Sequence, residues 1–508
     1  MSSFSHLPQV RRSAQVSASE LLFQASELLA EGFRLATVVC HDDISELRVV
    51  YVFMKGPPDE RRELIVHLDP ARPSVPSLAS ISFTASRFER EMSDLFGVEP
   101  LDHPQARRLV LHQHWAPGWH PFLHDAGPAP EMVPDSQGYP FIPVEGPGVY
   151  EVPVGPVHAG MIEPGHFRFF VVGETILRMK ARLWFVHKGI ERLVQGQTVE
   201  EAFEVAQRIS GDTTVGHGLA FMLAVEEALG LDVSDEHRRR RGVALEMERL
   251  YNHVADLGAL CNDVGFSVAN STALTIRERL LRINQELTGH RLLRGAVRLG
   301  GSNLIRAVRA EEIDGIADQI SELLEVVRSN ALVVDRFSGT ATLLRDDARD
   351  LGTLGVVARA SGMALDARVA HPFVDMPEGF EVVTDHRGDV LARFDVRARE
   401  IAVSLHCLRS WSGVQGGSSG EASDDVPLRS GVAGLEGPRS GLGVVEGWRG
   451  TVVHRLELDD EGRIRRLKVV DPSFFNWPAL PVCLADTILP DFPVANKSFN
   501  LSYAGNDL

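Results

Sequence analysis

Residues 155–217 constrain the fold more than any other stretch, because two Gly/Pro breaks open it and a Gly-rich polar loop closes it. It begins Gly155-Pro-Val-His-Ala-Gly-Met-Ile-Glu-Pro-Gly-His-Phe-Arg-Phe169 and ends Arg208-Ile-Ser-Gly-Asp-Thr-Thr-Val-Gly-His217. Gly155-Pro156 and Pro164-Gly165 are turn signals that expose backbone and re-aim side chains. His158, Glu163 and His166 sit in or between them, three proton-active groups in one loop context, which marks a candidate site. The alternative is a hydrogen-bonded turn with incidental histidines. Between opening and closing loops, Arg178–Leu193 is expected to be helical.

Gly-Pro-x-His, then Glu-Pro-Gly-His-Phe, then His187-Lys-Gly-Ile-Glu-Arg192 resembles the large subunit of membrane-bound, energy-converting nickel–iron hydrogenases and its relative, the 49-kDa-type subunit of respiratory complex I. In the hydrogenases this region leads into Arg-x-Cys-Gly-x-Cys-x-x-x-His, whose thiolates bind nickel and iron. Here the frame survives with Ser210 and Thr213 in place of the cysteines, and His217 at the final position. The second cysteine pair of that family falls on Ser502 and Gly505. Nickel in such a site needs soft, deprotonated sulfur. Hydroxyls stay protonated at neutral pH and glycine has no side chain, so no metal is expected in this chain. The complex I quinone pattern pairs the turn histidine with a tyrosine in the later loop. His158 matches the first, and the tyrosine position falls on Gly211. The chain ends three residues beyond Gly505, which agrees with loss of the peptide that metal insertion would remove.

A second string, Phe88-Glu-Arg-Glu-Met-Ser-Asp-Leu-Phe-Gly97 followed by His103-Pro-Gln-Ala-Arg-Arg108, resembles the 30-kDa-type subunit of complex I. Phe88, Met92, Leu95 and Phe96 share one helix face. Glu89, Glu91 and Asp94 are expected elsewhere on its surface, and Gly97 is a C-cap. The two resemblances occur in the order expected of a fused polypeptide. They imply an α+β chain: an N-terminal α+β domain over 1–115, a Pro/Gly-rich linker over 116–150, and a mainly helical large-subunit-like domain with small β elements over 151–508.

A chain of 508 residues exceeds one ordinary core. Its net charge of −17 argues against a nucleic-acid partner. No apolar run reaches the length of a transmembrane helix, and Met1–Ala14 lacks a signal-peptide core. Cys40, Cys261, Cys407 and Cys483 have no paired spacing, which fits a reducing compartment and supports neither a disulfide framework nor a CxxC metal site. The location expected is cytoplasmic, peripheral on the inner face of the cell membrane.

Along the chain, Glu20–Phe33 has helical periodicity, and Glu46–Met54 and Glu63–Leu68 are strands. His112, His114, His120 and His124 are read as solvated loop histidines. Val215–Leu229 and a helix from the Ser234 N-cap to about Val264 follow, with Gly230 a C-cap between them. His237-Arg-Arg-Arg-Arg241 reads as a solvated face, with an acidic partner or lipid headgroups as the alternative. Glu248, Asn252 and Asp256 share one face, a polar network if buried. Leu274–Leu287 and Glu311–Val327 are further helices, and nothing between them supports a dinucleotide site. Val390–Val403 is expected to be extended. Ser410–Gly443 reads as a flexible loop and Thr451–Leu458 as a hairpin strand.

The resemblance implies an iron–sulfur small subunit as partner and antiporter-like membrane subunits. It places the turn and the later loop on opposite walls of one cavity. The role implied is electron transfer from the partner's iron–sulfur cluster to an acceptor, with quinone the candidate, coupled to ion translocation. The expected catalytic groups are His158, Glu163, His166, Asp212 and His217, with His158, Ser210 and Thr213 contacting the acceptor. No cofactor is expected to be covalently bound. The other reading is a non-catalytic scaffold that docks the iron–sulfur partner on the membrane arm.

Overall fold

The computed structural model describes residues 11–134, 139–159, 162–412 and 439–508. The first part is a four-stranded sheet in the order β1-β4-β3-β2, from β1 (Arg12–Gln15), β2 (Arg34–Asp42), β3 (Leu47–Lys55) and β4 (Glu60–Leu68). β3 runs antiparallel to both neighbours, with Val39 opposite Val50 and Val50 opposite Ile65; β1 joins β4 in parallel. Helix α1 (Ala18–Ala30) packs against it through Leu21 and Ala25. Helix α2 (Phe83–Phe96) ends at Gly97, which adopts φ +72°, so its chain reverses where most residues would be strained.

The expected charged surface of α2 is not found. Glu89 is fully buried and accepts from Ser77 Oγ and the Leu78 N–H, and Asp94 accepts from the N–H groups of Leu109, Val110 and Leu111. Glu91 bonds Lys468. The helix docks on the second half of its own chain, where Phe88 stacks on Phe474 at 4.6 Å. One hydrophobic cluster joins the N-terminal sheet to Leu354, Val444, Val453, Val470 and Phe475.

The described residues between Leu101 and Val149 form neither helix nor strand. His112 and His120 are half-buried and bond the carbonyls of Leu183 and Asp94, tying this segment down at two points. His114 and His124 are exposed.

A three-stranded sheet follows: β5 (Val149–Val154), β6 (His166–Val172) and β7 (Thr175–Arg182). The helix expected over 178–193 is therefore wrong for its first part, and only Ile190–Leu193 is helical. Arg178, Lys180 and Arg182 recur at the strand period of two, and β7 pairs with β6 through Phe169 opposite Met179.

The helical body contains α3 (Thr214–Leu229), α4 (Asp235–Asp263) and α5 (Val390–Trp411). α3 stops at Gly230, φ +65°, and Ser234 caps α4 by accepting from the His237 N–H. Of the basic run at the start of α4, Arg240 and Arg241 are buried rather than solvated, and Arg241 pairs with Glu226 at 2.5 Å. The extended segment expected at Val390–Val403 is helix α5, capped by Asp389. Its periodicity was hidden because Arg393, Arg397 and Glu400 face the interior, where Asp256 pairs Arg397 at 2.9 Å and Arg359 pairs Glu400 at 2.6 Å.

A final three-stranded antiparallel sheet, β8 (Arg439–Gly447), β9 (Gly450–Leu458) and β10 (Ile464–Val470), lies against α3. Cβ atoms on Gly441 and Gly443 would meet the Ala224 and Ala220 carbonyls at 1.8 Å, so strand and helix backbones touch. Residues 413–438, most of the expected flexible loop, lie outside the described residues, whereas 439–443 belong to β8. The chain closes with α6 (Tyr503–Asp507), wholly buried.

Candidate functional site

The Arg208–His217 loop leads into the N-terminus of α3, and the C-terminal segment before α6 crosses it. Ser210 and Ser502 hold their hydroxyl oxygens 3.0 Å apart. Ser210 Oγ and Thr213 Oγ1 both donate to Asp212 Oδ1, at 2.7 and 3.0 Å. Arg449 grips the same carboxylate bidentately, at 2.8 and 2.7 Å, and its guanidinium lies over the Trp448 ring at 3.8 Å. Trp448 Nε1 donates to the Asp212 carbonyl. Burial opposes ionisation of Asp212, but the Arg449 charge and these donors outweigh it and hold the carboxyl far below the usual range. Its side chain is still 39% exposed, so the pair forms the mouth of the site.

Behind the mouth, His217 Nε2 donates to Asp471 Oδ2 at 3.2 Å and its Nδ1 lies 3.0 Å from His454 Nε2. All three residues are buried. Burial, reinforced by His217, pushes the His454 imidazole well below its ordinary value, so it is neutral. Its Nδ1 is buried without a hydrogen-bond partner among the described residues. Asp471 also caps the helix Pro472–Asn476, its Oδ1 accepting from the Ser473 N–H at 2.7 Å.

The α4 stripe is buried, so the polar-network alternative holds. Glu248 accepts from the N–H groups of Val215 and Gly216 at 2.6 and 2.9 Å, in the first turn of α3. Those donors favour the carboxylate, yet burial and the charge of Asp212 push the group up to about 8. Asn252 donates to the Asp212 carbonyl, and Asp256 accepts from Arg397 and Asn500.

The earlier turn is built differently from the expected cavity wall. His158 Nε2 donates to the Gly165 carbonyl at 2.8 Å, and His166 Nδ1 to the Gly155 carbonyl at 3.1 Å. The Gly165 N–H returns to Pro156. Gly155 is required here: its φ is +77°, and a Cβ would meet the Gly165 carbonyl at 2.2 Å. Glu163 Oε2 accepts from the Ala504 N–H at 2.9 Å. The turn and the loop are thus joined through the C-terminal segment, Glu163 on one side of it and Ser210 on the other. His158 spends on its own turn the hydrogen bond expected for a quinone carbonyl.

The four positions aligned with thiolate ligands do come together, but what fills them does not fit a nickel–iron group. Two hydroxyls pair with each other, the third donates to Asp212, and a Cβ on Gly505 would stand 2.6 Å from Asp471 Cγ. None of these is a soft ligand. Among the described residues, no three His, Cys, Asp or Glu side chains are placed to hold a metal ion, and all four cysteines are buried and unpaired with one another. Sequence reading missed Asp471, His454 and Glu248's bond to α3. His454 carries no motif at all.

Comparison with known proteins agrees with this architecture. Residues 10–131 match the family described as respiratory-chain NADH dehydrogenase, 30 Kd subunit, and residues 263–415 the 49 Kd subunit. Formate hydrogenlyase subunit 5 of Escherichia coli (strain K12) is 30% identical over 462 residues, covering 87% of this chain and 78% of the relative. Hydrogenase-4 component G of the same organism is 31% identical over 431 residues, 82% and 73% respectively. A chain of the membrane-bound sulfane sulfur reductase, an archaeal respiratory membrane complex, shares the fold with a TM-score of 0.62 at 22% identity, covering 71% of this chain and 99% of that one. The chain belongs to the family that unites the 30- and 49-kDa subunits of respiratory NADH dehydrogenase with formate hydrogenlyase subunit 5 and hydrogenase-4 component G, both modules being fused in one polypeptide.

Proposed function

We propose that this chain, a subunit of the complex-I-like, hydrogenase-related respiratory kind whose relatives are oxidoreductase subunits, serves such a complex as a docking scaffold, holding an iron–sulfur partner against antiporter-like membrane subunits on the cytoplasmic face. The observation that carries this reading is Asp471, whose carboxyl carbon lies 2.6 Å from where a side chain on residue 505 would begin. That carboxylate, bonded to His217 and to the Ser473 N–H, fills the space a side chain at 505 would need. Among the described residues no helix is long and apolar enough to cross a membrane, so membrane contact in this reading runs through partners.

One observation favours a second reading, electron transfer from the partner's cluster to a quinone-like acceptor, coupled to ion translocation. The Asp212–Arg449 pair is charged, partly open to solvent and backed by Glu248, a carboxyl that holds a proton near neutral pH. Such a mouth can orient a polar acceptor and exchange protons beside it.

The intact complex separates the two. Asp212→Asn keeps size while removing the charge at the mouth. Unchanged assembly with unchanged cluster reoxidation by a soluble quinone supports the scaffold. Normal assembly with turnover reduced about tenfold or more, a barrier of at least about 1.4 kcal/mol, supports the redox reading.

A further inference from the structure

Gly505 lies in α6, close to the point where the C-terminal segment meets the Arg208–His217 loop. The Gly505 N–H donates to Ser502 Oγ at 2.9 Å, the Ser502 N–H donates to Ser473 Oγ at 2.9 Å, and Ser502 Oγ meets Ser210 Oγ. A Cβ on Gly505 would approach Asp471 at 2.6 Å from Cγ, 2.7 Å from Oδ2 and 3.1 Å from Cβ. Real Cβ atoms do not sit that close to a carboxyl carbon, so one side must move. Asp471 has little room to do so. Its Oδ1 caps a helix through the Ser473 N–H, its Oδ2 holds His217, and its side chain is buried. His217 is held in turn by His454.

We propose that the C-terminal segment 500–508 is pinned to the Arg208–His217 loop by a metal-independent polar lock, with Asp471 as a plug that bars any side chain at position 505. Returning cysteines to 210, 213, 502 and 505 therefore does not rebuild a four-thiolate centre while Asp471 remains. This rests on reading the chain as a subunit that does not hold the reacting metal.

The chemistry of the lock follows from its parts. Thiolates converge on a cation that bonds each at about 2.3 Å in tetrahedral sites. Without it they take up protons and become weakly bonding thiols, so a segment held by thiolates depends on the metal for closure. Hydroxyls need no cation, because one donates while the other accepts. Ser210 and Ser502 meet in that way. The rest of the segment is held by ordinary hydrogen bonds: Ala504 N–H to Glu163, Val186 N–H to Asp507, Gly189 N–H to the Leu508 carbonyl, and Arg87 to Asn506. None of these changes with metal supply. The plug explains why the fourth position is glycine: the carboxylate that orders His217 leaves no space there for a Cβ.

The test uses the full chain and cobalt(II) as probe, because thiolate-to-cobalt charge transfer scales with the number of bound thiolates. A chain carrying Ser210→Cys, Thr213→Cys, Ser502→Cys and Gly505→Cys is compared with the same chain also carrying Asp471→Ala, which leaves only the Cβ at 3.1 Å. Asp471 in place should limit the band to three thiolates or fewer, and Asp471→Ala should raise it to four. A four-thiolate band with Asp471 intact overturns the plug, as does failure of Asp471→Ala to restore it in a folded chain. If the cysteine chains do not fold, hydrogen exchange on the native chain decides. Protection of 500–508 should be unchanged by excess chelator, while Ser210→Ala and Ser502→Ala each speed exchange there about tenfold and leave the N-terminal sheet alone. A tenfold loss of protection on adding chelator, or no effect of either serine variant, overturns the lock. Neither readout involves assembly or quinone turnover, so failure here is distinct from failure of the scaffold reading.

Discussion

Gly505 and Asp471 define each other: the glycine has no side chain, and the carboxylate occupies the space one would take, 2.6 Å from an ideal Cβ. The glycine is outside the left-handed region, so its backbone does not require it. Contact alone does.

Gly505→Ala should therefore destabilise the chain by overpacking, by about 1–3 kcal/mol. Asp471→Ala in the same chain should recover part of that loss despite breaking the His217 bond, because the two sites are in direct contact and their effects do not add. Denaturant titration of the single and double variants measures the coupling. Simple additivity would show that Asp471 yields cheaply.

Asp212→Asn should leave Arg449 buried with a weakened partner. Truncating one member of a fully buried pair costs about 3–5 kcal/mol. Asp212 is more than a third exposed, so water screens it, and about 1–2 kcal/mol is expected. The folded carboxyl sits far below the unfolded value of about 3.9, so its contribution is present above that value and lost as pH falls through the folded value. The difference between native and variant should be flat from pH 7 to about 4.5 and shrink only in stronger acid. Shrinkage already between pH 7 and 5 would contradict the depressed carboxyl.

Much of this architecture is legible in the residues, for identifiable reasons. Gly97, Gly230 and Ser234 act as the caps their chemistry implies, because caps are local. The fused order of two modules is legible because it rests on strings such as Glu89-Arg-Glu91 and Gly155-Pro-Val-His158. Failures occur where tertiary contacts override pattern. Glu89 and Asp94 read as surface residues until their partners arrive from other segments, and Arg397 and Glu400 hide the helical period of 390–403 because their partners come from other helices. His158 and Glu163 read as wall groups of a cavity, but their bonding atoms point at Gly165 and Ala504, which spacing does not reveal. Asp471 could not be found from its neighbours, since its meaning lies in its contacts with His217 and Gly505.

Glu248 should give the stability curve a slope near neutrality. Its folded value of about 8 lies above the unfolded carboxyl value of about 4.3, so the folded state binds the proton more tightly. That contribution is full below about pH 4 and is lost as pH rises toward 8, by up to about 1.4 kcal/mol per unit. Glu248→Gln cannot ionise. It should carry a pH-independent cost of about 1–3 kcal/mol for an amide facing two backbone donors, and lack this slope. Parallel native and variant curves between pH 5 and 8 would place the proton elsewhere.

The last prediction concerns the seam between the two modules. Lys468 Nζ sits 2.6 Å from Glu91 of α2 and 3.1 Å from Glu191, and Arg466 also holds Glu191 at 2.9 Å. Lys468→Ala thus leaves Glu91 as the carboxylate without its cation, while Glu191 keeps one. A fully buried charge stranded in this way costs about 3–5 kcal/mol, and the half-buried Glu91 should cost somewhat less, about 2–4 kcal/mol. Glu91→Gln on that background removes the stranded charge and should recover roughly half of the loss. Hydrogen exchange should locate the damage in α2 and its contact with Phe474, leaving the α3 and β8 packing protected. Equal loosening of α2 in the single and double variants would mean that the lysine's aliphatic stem, rather than its charge, fastens the seam.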